Sequence, residues 1–260
     1  MRVAALLLFT GVSIFIAKPC TAQDARSIVA RAVAADDHSD RLARDYTYKL
    51  RDEIRELDGA GRVKSVHSTV DEVLYIAGKR YFHPLEKDDK PVPLSEARRE
   101  QAKLDRAAAA ERDRAKQRAQ FKDIPNAYDF GLLADTVIDG RPAWEISATP
   151  RPGYHGEFRG ILHNVEGKLW IDKNDSNWVR VEADVLKPFS LGWLLARVAA
   201  GTHLTYEMMR VNDDVWAPKR ILLKASARLL MLRKVNAEQE LTFTEYRKFQ
   251  TDSRIVSSTE

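Results

Sequence analysis

The sequence predicts a mainly β fold of the α+β class, in which a strongly curved antiparallel sheet is accompanied by a few helices. Three observations support this fold. Long runs between residues 45 and 249 alternate apolar and polar side chains with a period of two, which is typical of strands. Turn-forming residues separate these runs, so consecutive strands are expected to form hairpins. Strands and helices do not alternate regularly along the chain, which argues against a parallel sheet.

The first 22 residues have the features of a secretory signal peptide. Arg2 precedes an uncharged apolar run over residues 3–17, which is shorter than the roughly 20 residues that a membrane-spanning helix needs. Cys20 and Ala22 supply the small residues expected before a cleavage site that follows Ala22. The sequence therefore predicts a signal peptide at residues 1–22, with an uncleaved N-terminal anchor as the alternative.

Cleavage would change the charge and the redox chemistry of the chain. Without Arg2 and Lys18, 40 Lys and Arg residues face 38 Asp and Glu residues, a net charge of +2 that gives no basis for a nucleic-acid partner. Cys20 is the single cysteine, so the predicted mature domain at 23–260 has no disulfide and no cysteine metal site. We expect one domain there, with no stable transmembrane span after cleavage.

A helix and a strand meander open the predicted domain. Between Asp24 and Asp37 apolar residues recur near one face, which predicts an amphipathic helix that packs on the sheet. From Tyr46 the period changes to two, and a turn over residues 58–61 separates the first strand from the second. A third strand is expected around residues 81–82.

A charged segment at residues 93–120 interrupts the strands. Between Ser95 and Arg118 the only large aliphatic residue is Leu104, and most of the others are good helix formers. Opposite charges three residues apart, as at Glu96 and Arg99, favour a solvated helix. We predict an exposed charged helical insertion, with a basic helix that binds a membrane or nucleic acid as the alternative.

The strands resume after this insertion. Residues 153–160 form a glycine-bearing loop, and the apolar residues 191–200 suggest one or two helical turns. The total expected is about ten strands and three helices. The later strand candidates are Tyr128–Ile138, Ala143–Ala148, Lys168–Asp172, Trp178–Leu186, Thr202–Val211, Lys219–Leu232 and Glu238–Phe249.

No familiar catalytic motif occurs in the sequence. It contains no Gly-x-Ser-x-Gly, no phosphate-binding glycine loop and no His-Glu-x-x-His. His155 and His163, even with Glu166 or Asp172, lack a diagnostic metal-ligand spacing. We therefore expect no enzymatic activity, no cofactor and no metal; a hydrolase with an unfamiliar site is the alternative.

The last strands carry an unusual number of apolar residues. Covered by an amphipathic helix, such a sheet face is either a packed core or the wall of a cavity for an apolar ligand. Two tryptophans on neighbouring strands would stack at the cavity rim or stabilise their hairpin without any ligand. The candidate cavity residues are Trp170, Trp178, Leu204, Tyr206, Met208, Ile221, Leu223, Met231, Leu241 and Phe243.

Two hairpin segments carry a family resemblance. The first contains Trp170-Ile171-Asp172, a turn, and the strand that starts at Trp178; the second contains Trp216-Ala217-Pro218. Over residues 128–249 this pattern resembles the outer-membrane lipoprotein-sorting proteins, the LolA/LolB-like periplasmic carriers. The resemblance implies a half-open barrel whose concave side is covered by helices.

The resemblance also implies a function. It indicates a periplasmic carrier that binds a lipid or the acyl chains of a lipoprotein. In well-known carriers an arginine locks the lid, and Arg180 and Arg210 are the nearest strand candidates, with no reason to prefer either. Because a fold does not dictate an activity, an envelope sensing module that binds a protein partner through the charged helix is the alternative.

Overall fold

The computed structural model describes residues 22–76, 79–93, 118–191, 196–213, 215–229 and 233–249. In these parts of the chain thirteen strands form one antiparallel sheet that does not close, and helices pack against it. The predicted fold class is confirmed. The signal peptide and the charged insertion stay predictions, because residues 1–21 and 94–117 lie outside the described residues.

The strands form a single path with two ends. The strands are β1 Tyr46–Leu57, β2 Val63–Ile76, β3 Lys79–Lys87, β4 Lys90–Pro91, β5 Tyr128–Ile138, β6 Arg141–Pro150, β7 Val165–Asp172, β8 Trp178–Val185, β9 Phe189–Leu191, β10 Ala196–Val198, β11 His203–Val211, β12 Val215–Leu229 and β13 Arg233–Lys248. The path runs β4-β3-β2-β1-β13-β12-β11-β8-β7-β6-β5, and the short strands β9 and β10 extend it beside β12.

Two-residue turns set the register of the tight hairpins. Asp139 and Gly140 join β5 to β6 with φ angles of 49° and 77°, and Asp88 and Asp89 join β3 to β4 with 49° and 56°. A two-residue hairpin of this type needs positive φ at both positions, which glycine, asparagine and aspartate adopt most readily. The local sequence therefore fixes these two connections.

Helix α1, Ala22–Leu42, covers one half of the concave face. It is longer at both ends than the predicted 24–37, with Asp24 in its first turn and Arg41 in its last, where each charge is favoured by the helix dipole. Ala25, Val29 and Ala32 are fully buried, and α1 contacts β5, β7 and β12. The short 3-10 helix Ala43–Asp45 then leads into β1.

A second helix lies antiparallel to α1. Residues 118–127, here α2, are helical, so this helix continues beyond the predicted end of the insertion at 120. Near the start of α1, Arg26 Nη1 donates to the carbonyl of Pro125 at 3.1 Å, and towards its end Asp37 accepts from Arg118 at 2.8 Å. A short helix α3, Arg159–Leu162, precedes β7. Within the described ranges no helix is long and apolar enough to cross a membrane.

One cross-strand row shows how the concave face changes across the sheet. The row is apolar from β5 to β13 and polar on β1, β2 and β3. Its side chains on β6 and β7 are buried, whereas those on β5, β8, β11 and β12 are only half-buried. The row consists of Leu132, Ile146, Leu169, Val181, Tyr206, Ile221, Leu241, Asp52, Thr69 and Lys87.

The apolar segment 191–200 differs from the prediction. Its described residues lie in β9, in β10 and in the turn that follows β10, and not in a helix; residues 192–195 lie outside the description. β10 pairs Arg197 with Arg228 and Val198 with Ala227, near the end of the long strand β12. Pairing with this distant strand overrides the local helical preference, which a single sequence does not reveal.

Candidate functional site

A cavity of about 470 Å³ lies between the two long helices and the middle of the sheet. Its volume is within the range of about 300–1,000 Å³ that is usual for small-molecule sites. Most of its lining is aromatic or aliphatic, with two acids and two arginines. The described residues that line it are Asp36, Asp40, Ala43, Tyr48, Tyr75, Arg80, Arg118, Phe121, Val181, Leu204, Tyr206, Met208, Trp216, Pro218, Ile221, Phe243 and Tyr246.

Strand periodicity builds the apolar wall. Leu204, Tyr206 and Met208 alternate along β11 and face the same side, as residues two apart on a strand must. Tyr206 is paired with Val181 on β8 and with Ile221 on β12. These neighbours bring a continuous apolar surface to the cavity.

Aromatic side chains of β1 and β13 continue the wall beyond β12. The ring of Tyr48 lies 5.8 Å from that of Phe243 and 5.1 Å from that of Tyr246. The Tyr246 hydroxyl donates to the carbonyl of Pro218 at 2.7 Å, and burial raises the pKa of this phenol above its usual value. Tyr246 is therefore uncharged at neutral pH, and its hydroxyl is already satisfied within the protein.

The helices supply a charged margin. Arg118 of α2 lies 3.4 Å from Asp36, 2.8 Å from Asp37 and 3.4 Å from Asp40, all on α1. The hydrogen bond from Arg118 holds the pKa of Asp37 below its usual value, against the opposing effect of burial, and Lys122 adds to the lowering. The two acids at the cavity margin, Asp36 and Asp40, are thus held by Arg118.

Arg80 is placed differently from Arg118. Its guanidinium carbon lies 5.2 Å from the centre of the Phe82 ring, on the cavity side of β3. Its Nε is shielded from solvent and has no hydrogen-bond partner among the described residues. Arg80 therefore brings to a largely apolar cavity a guanidinium that has no carboxylate partner among the described residues.

The neighbouring half of the barrel is solidly packed. The buried side chains of α1 join Trp178, Ile171 and Met208 in one apolar cluster. The far part of α1 is anchored by a buried hydrogen bond in which the Ser39 hydroxyl donates to Asn177 Oδ1 at 3.1 Å, in the turn between β7 and β8. This anchor holds the part of α1 that borders the cavity.

An ionic network stiffens the same turn. Arg141 donates to both oxygens of the fully buried Asp172, at 2.6 and 3.1 Å, and the backbone N–H groups of Asn174 and Asp175 donate to it at 2.8 Å. Burial alone would raise the pKa of Asp172, but these hydrogen bonds outweigh it and lower the pKa. The indole N–H of Trp216 donates to Asp175 at 3.0 Å, which links the network to a cavity residue.

Half of the residues proposed from the sequence lie on the cavity. These are Leu204, Tyr206, Met208, Ile221 and Phe243. Their common surface follows from strand alternation and from the pairing of β11, β12 and β13.

Four other proposed residues do not line the cavity. Trp178 is buried in the cluster beneath α1 and pairs with Ile171, whereas Trp170 pairs with Arg180, so the two tryptophans do not stack on each other. Leu223 and Leu241 are partly buried neighbours of the wall. The last proposed residue, Met231, lies outside the described residues.

The two arginines considered as lid locks do not line the cavity either. Arg180 lies 5.5 Å from the centre of the Trp170 ring and pairs with Glu182 at 2.6 Å. Arg210 pairs with Asp175 and donates to the carbonyl of Asp213. The arginine that joins the two helices is Arg118, which the sequence places in a segment of many similar charges.

Several cavity residues are not among the sequence-based candidates. Tyr48 lies in a recognised alternating run, but its wall exists only because β1 pairs with β13, nearly at the other end of the chain. Tyr75 and Arg80 reach the site through the same meander. The sequence does contain one signal for this site: Asp36 and Asp40 are four residues apart, on one face of a helix, and two acids at this spacing favour a basic partner.

No group of three or more metal-ligating side chains is found in the described ranges. His163 follows the short helix α3, with its Nδ1 buried and unpaired among the described residues, and His155 lies in the preceding loop. Neither histidine lines the cavity. The candidate site is therefore the apolar cavity.

No family model matches the chain, and no curated protein is detectably similar to it in sequence. Solved structures with a similar fold are found. An outer-membrane lipoprotein-sorting protein domain from Vibrio parahaemolyticus is 13% identical over 86% of this chain and 94% of that one, with a TM-score of 0.39. A LolA superfamily protein from Nitrosomonas europaea is 12% identical over 86% and 92%, with a TM-score of 0.32.

A third structure, a DUF1329 family protein from Desulfovibrio piger, is 12% identical over 85% of this chain and 97% of that one, with a TM-score of 0.34. The first two are proteins of the kind that the sequence resemblance predicts, and the resemblance is confirmed to that extent. Because each TM-score is below 0.5, these likenesses carry no argument about what this chain does.

Proposed function

We propose that this protein is a periplasmic carrier that binds a lipid, or an acyl chain of a lipoprotein, in the cavity beneath α1 and α2. The observation that carries the proposal is an unfilled space of about 470 Å³ whose walls are mostly aromatic and aliphatic. The cavity adjoins a core in which Ile146 and Ile171 are fully buried, so the sheet is able to pack tightly where it is covered.

Transfer of an alkyl chain from water into such a space is favourable by about 0.8 kcal/mol for each methylene buried. A chain of ordinary length therefore gains enough free energy to be held without any covalent bond. The predicted signal peptide supports a role in the periplasm, where acyl chains must cross an aqueous space between two membranes.

The proposed role is one of binding without catalysis. The described lining contains no serine, cysteine or histidine, and its acids are held by Arg118. The alternative, docking of a protein partner through the charged helix, stays a prediction because residues 94–117 lie outside the described residues. No contact of the described residues favours it over lipid binding.

Displacement of a fluorescent fatty acid tests the proposal. The informative variant is Leu204→Trp, which adds bulk inside the cavity, and its matched control is Leu133→Trp, which adds the same bulk at a 51% exposed position of the edge strand β5. We expect wild type and Leu133→Trp to bind the probe, and Leu204→Trp to bind at least about tenfold more weakly, a loss near 1.4 kcal/mol.

Organic extracts of the purified wild-type protein provide a second measurement. Mass spectrometry of these extracts should find a co-purified lipid, and less of it with Leu204→Trp. If the folded wild-type protein neither binds the probe nor yields a lipid, it is not a lipid carrier.

A further inference from the structure

We infer that the cavity takes a single-chain anionic amphiphile whose acidic head group, a carboxylate or a phosphate monoester, is bound by Arg80. This inference rests on the proposed function and specifies its ligand. It follows from two independent features of the cavity, its volume and the state of Arg80.

The volume fits one alkyl chain. A methylene occupies about the same volume as a molecule of liquid water, roughly 30 Å³. A cavity of about 470 Å³ then holds roughly 15 methylenes, the size of one acyl chain. A lipid with two or three chains would leave most of its apolar surface outside this space.

Arg80 is an unpaired cation at the wall of that space. No carboxylate of the described residues lies within ion-pairing distance of it, and its Nε is shielded from water without a hydrogen-bond acceptor. A buried donor that lacks a partner is costly, and the cost is greater when the group is charged. An acidic ligand in the cavity would not reach the shielded Nε, but it would supply the counter-charge that this guanidinium lacks among the described residues.

The acids near the cavity do not take that role. Asp36 and Asp40 are both bound by Arg118 at 3.4 Å, and Asp40 is also 3.5 Å from Arg44. These acids belong to the contact between the helices, whereas Arg80 belongs to the sheet. The cavity therefore offers an anion one cation that is not already neutralised by a carboxylate of the described chain.

The geometry of arginine suits this chemistry. The planar guanidinium presents parallel N–H groups that match the oxygens of a carboxylate or phosphate, which a lysine ammonium does not. Its position over the Phe82 ring, 5.2 Å from the ring centre, restricts how it can turn. A chain lying along Tyr206 and Ile221 would thus be oriented with its head group towards β3.

Competition with the bound fluorescent probe, using ligands of one chain length, tests this inference. The competitors are lauric acid, dodecyl phosphate, dodecanol and dodecylamine. On the wild-type protein we expect the two anions to bind roughly 10- to 100-fold more tightly than the alcohol, the range expected for a charge-assisted hydrogen bond, and the amine to bind most weakly. The order of the two anions distinguishes a fatty acid from a phosphorylated chain.

Variants assign the effect to Arg80. In Arg80→Gln the preference for anions over dodecanol should disappear, and in Arg80→Lys it should fall only in part. Arg62→Gln is the matched control because Arg62 is 81% exposed in the turn between β1 and β2 and pairs with Asp58. It should retain the wild-type preference. Circular dichroism checks that each variant is folded.

The outcomes separate the two proposals. If dodecanol competes as well as the acids on the wild-type protein, or if Arg80→Gln keeps the preference, the assignment of an anionic head group is wrong while lipid binding stands. If native mass spectrometry finds two or more chains per protein, the single-chain assignment is wrong. If none of the four ligands displaces the probe from folded protein, the proposed function itself fails.

Discussion

Ile146 of β6 and Ile221 of β12 lie in the same cross-strand row of the concave face, yet only Ile146 is fully buried. Ile146 belongs to the apolar cluster that includes α1, whereas Ile221 borders the cavity. The sheet is thus continuous across a packed half and a hollow half. What distinguishes the two halves is the helix above them and not the composition of the row.

This pair gives a prediction about stability. Ile146→Ala should lower the free energy of unfolding by about 2–5 kcal/mol, because it opens a void in a packed cluster. Ile221→Ala should lower it by only about 1 kcal/mol, since its side chain already faces an empty space. Urea denaturation followed by tryptophan fluorescence measures both values. Equal losses would mean that the cavity is filled by the protein itself.

The same substitutions should rank in the opposite order for ligand binding. Ile221→Ala removes wall surface from the cavity and should weaken binding of the fluorescent fatty acid. Ile146→Ala should bind the fluorescent fatty acid nearly as tightly as wild type does, when it is measured without denaturant at a temperature where the variant is folded. A stronger effect of Ile146→Ala on affinity would place the ligand in the packed cluster around Ile146 and not in the cavity.

The helix contact formed by Arg118 predicts a second effect. Arg118→Gln leaves Asp36 and Asp40 facing each other one turn apart with Asp37 beside them, and like charges at this spacing repel. We expect a loss of about 1–2 kcal/mol and a melting temperature lower by roughly 2–8 °C. Ligand dissociation, followed by stopped-flow fluorescence, should become faster.

A matched control separates this effect from a general loss of charge. Arg159→Gln, at an exposed position of the short helix α3, should change neither the melting temperature nor the dissociation rate. If both variants behave alike, the contact between α1 and α2 does not limit release of the ligand.

The sequence predicts the positions of the strands along the chain better than it predicts which strands pair with each other. Alternation and turn residues locate most strands, because both depend on neighbours in the chain. The cavity wall, in contrast, needs Tyr48 of β1 beside Phe243 and Tyr246 of β13, a contact between chain ends that no local pattern contains. Leu204, Tyr206 and Met208 can be predicted from the sequence because they alternate on one strand.

The division between core and cavity is also absent from local sequence. Trp178 and Tyr206 are both large aromatic residues on alternating strands, but α1 covers the first and leaves the second at the cavity. Arg80 is one basic residue among many until β3 is paired with β2. Whether such a residue lies in the core or at the cavity depends on where a helix covers the sheet. The alternation of apolar and polar residues along a strand does not specify the position of that helix.

The anchor between Ser39 and Asn177 predicts a third effect. Ser39→Ala removes the hydroxyl that donates to Asn177 Oδ1 and leaves a buried acceptor unpaired, which costs about 1–3 kcal/mol. We expect hydrogen exchange to rise in the second half of α1 and not in its first half, where the apolar cluster is intact. Ser27→Ala is the control, because its hydroxyl bonds at an exposed site within the same helix.

Asp172 predicts a dependence on pH. Its pKa in the folded protein is below the ordinary 3.8, since the hydrogen bonds from Arg141, Asp175 and Asn174 outweigh the effect of burial. The ionised carboxylate therefore contributes stability that is complete above pH 3.8 and is lost as the pH falls below that value through the folded pKa. Asp172→Asn lacks this contribution at every pH.

The difference between wild type and Asp172→Asn should accordingly be largest near neutral pH, about 1–3 kcal/mol, and should shrink as the pH falls below about 4. Urea denaturation at a series of pH values measures it. Asp213→Asn is the matched control, because the Asp213 side chain is 94% exposed and should contribute little at any pH. A difference that is constant with pH would show that Asp172 acts through shape and hydrogen bonding, and not through its charge.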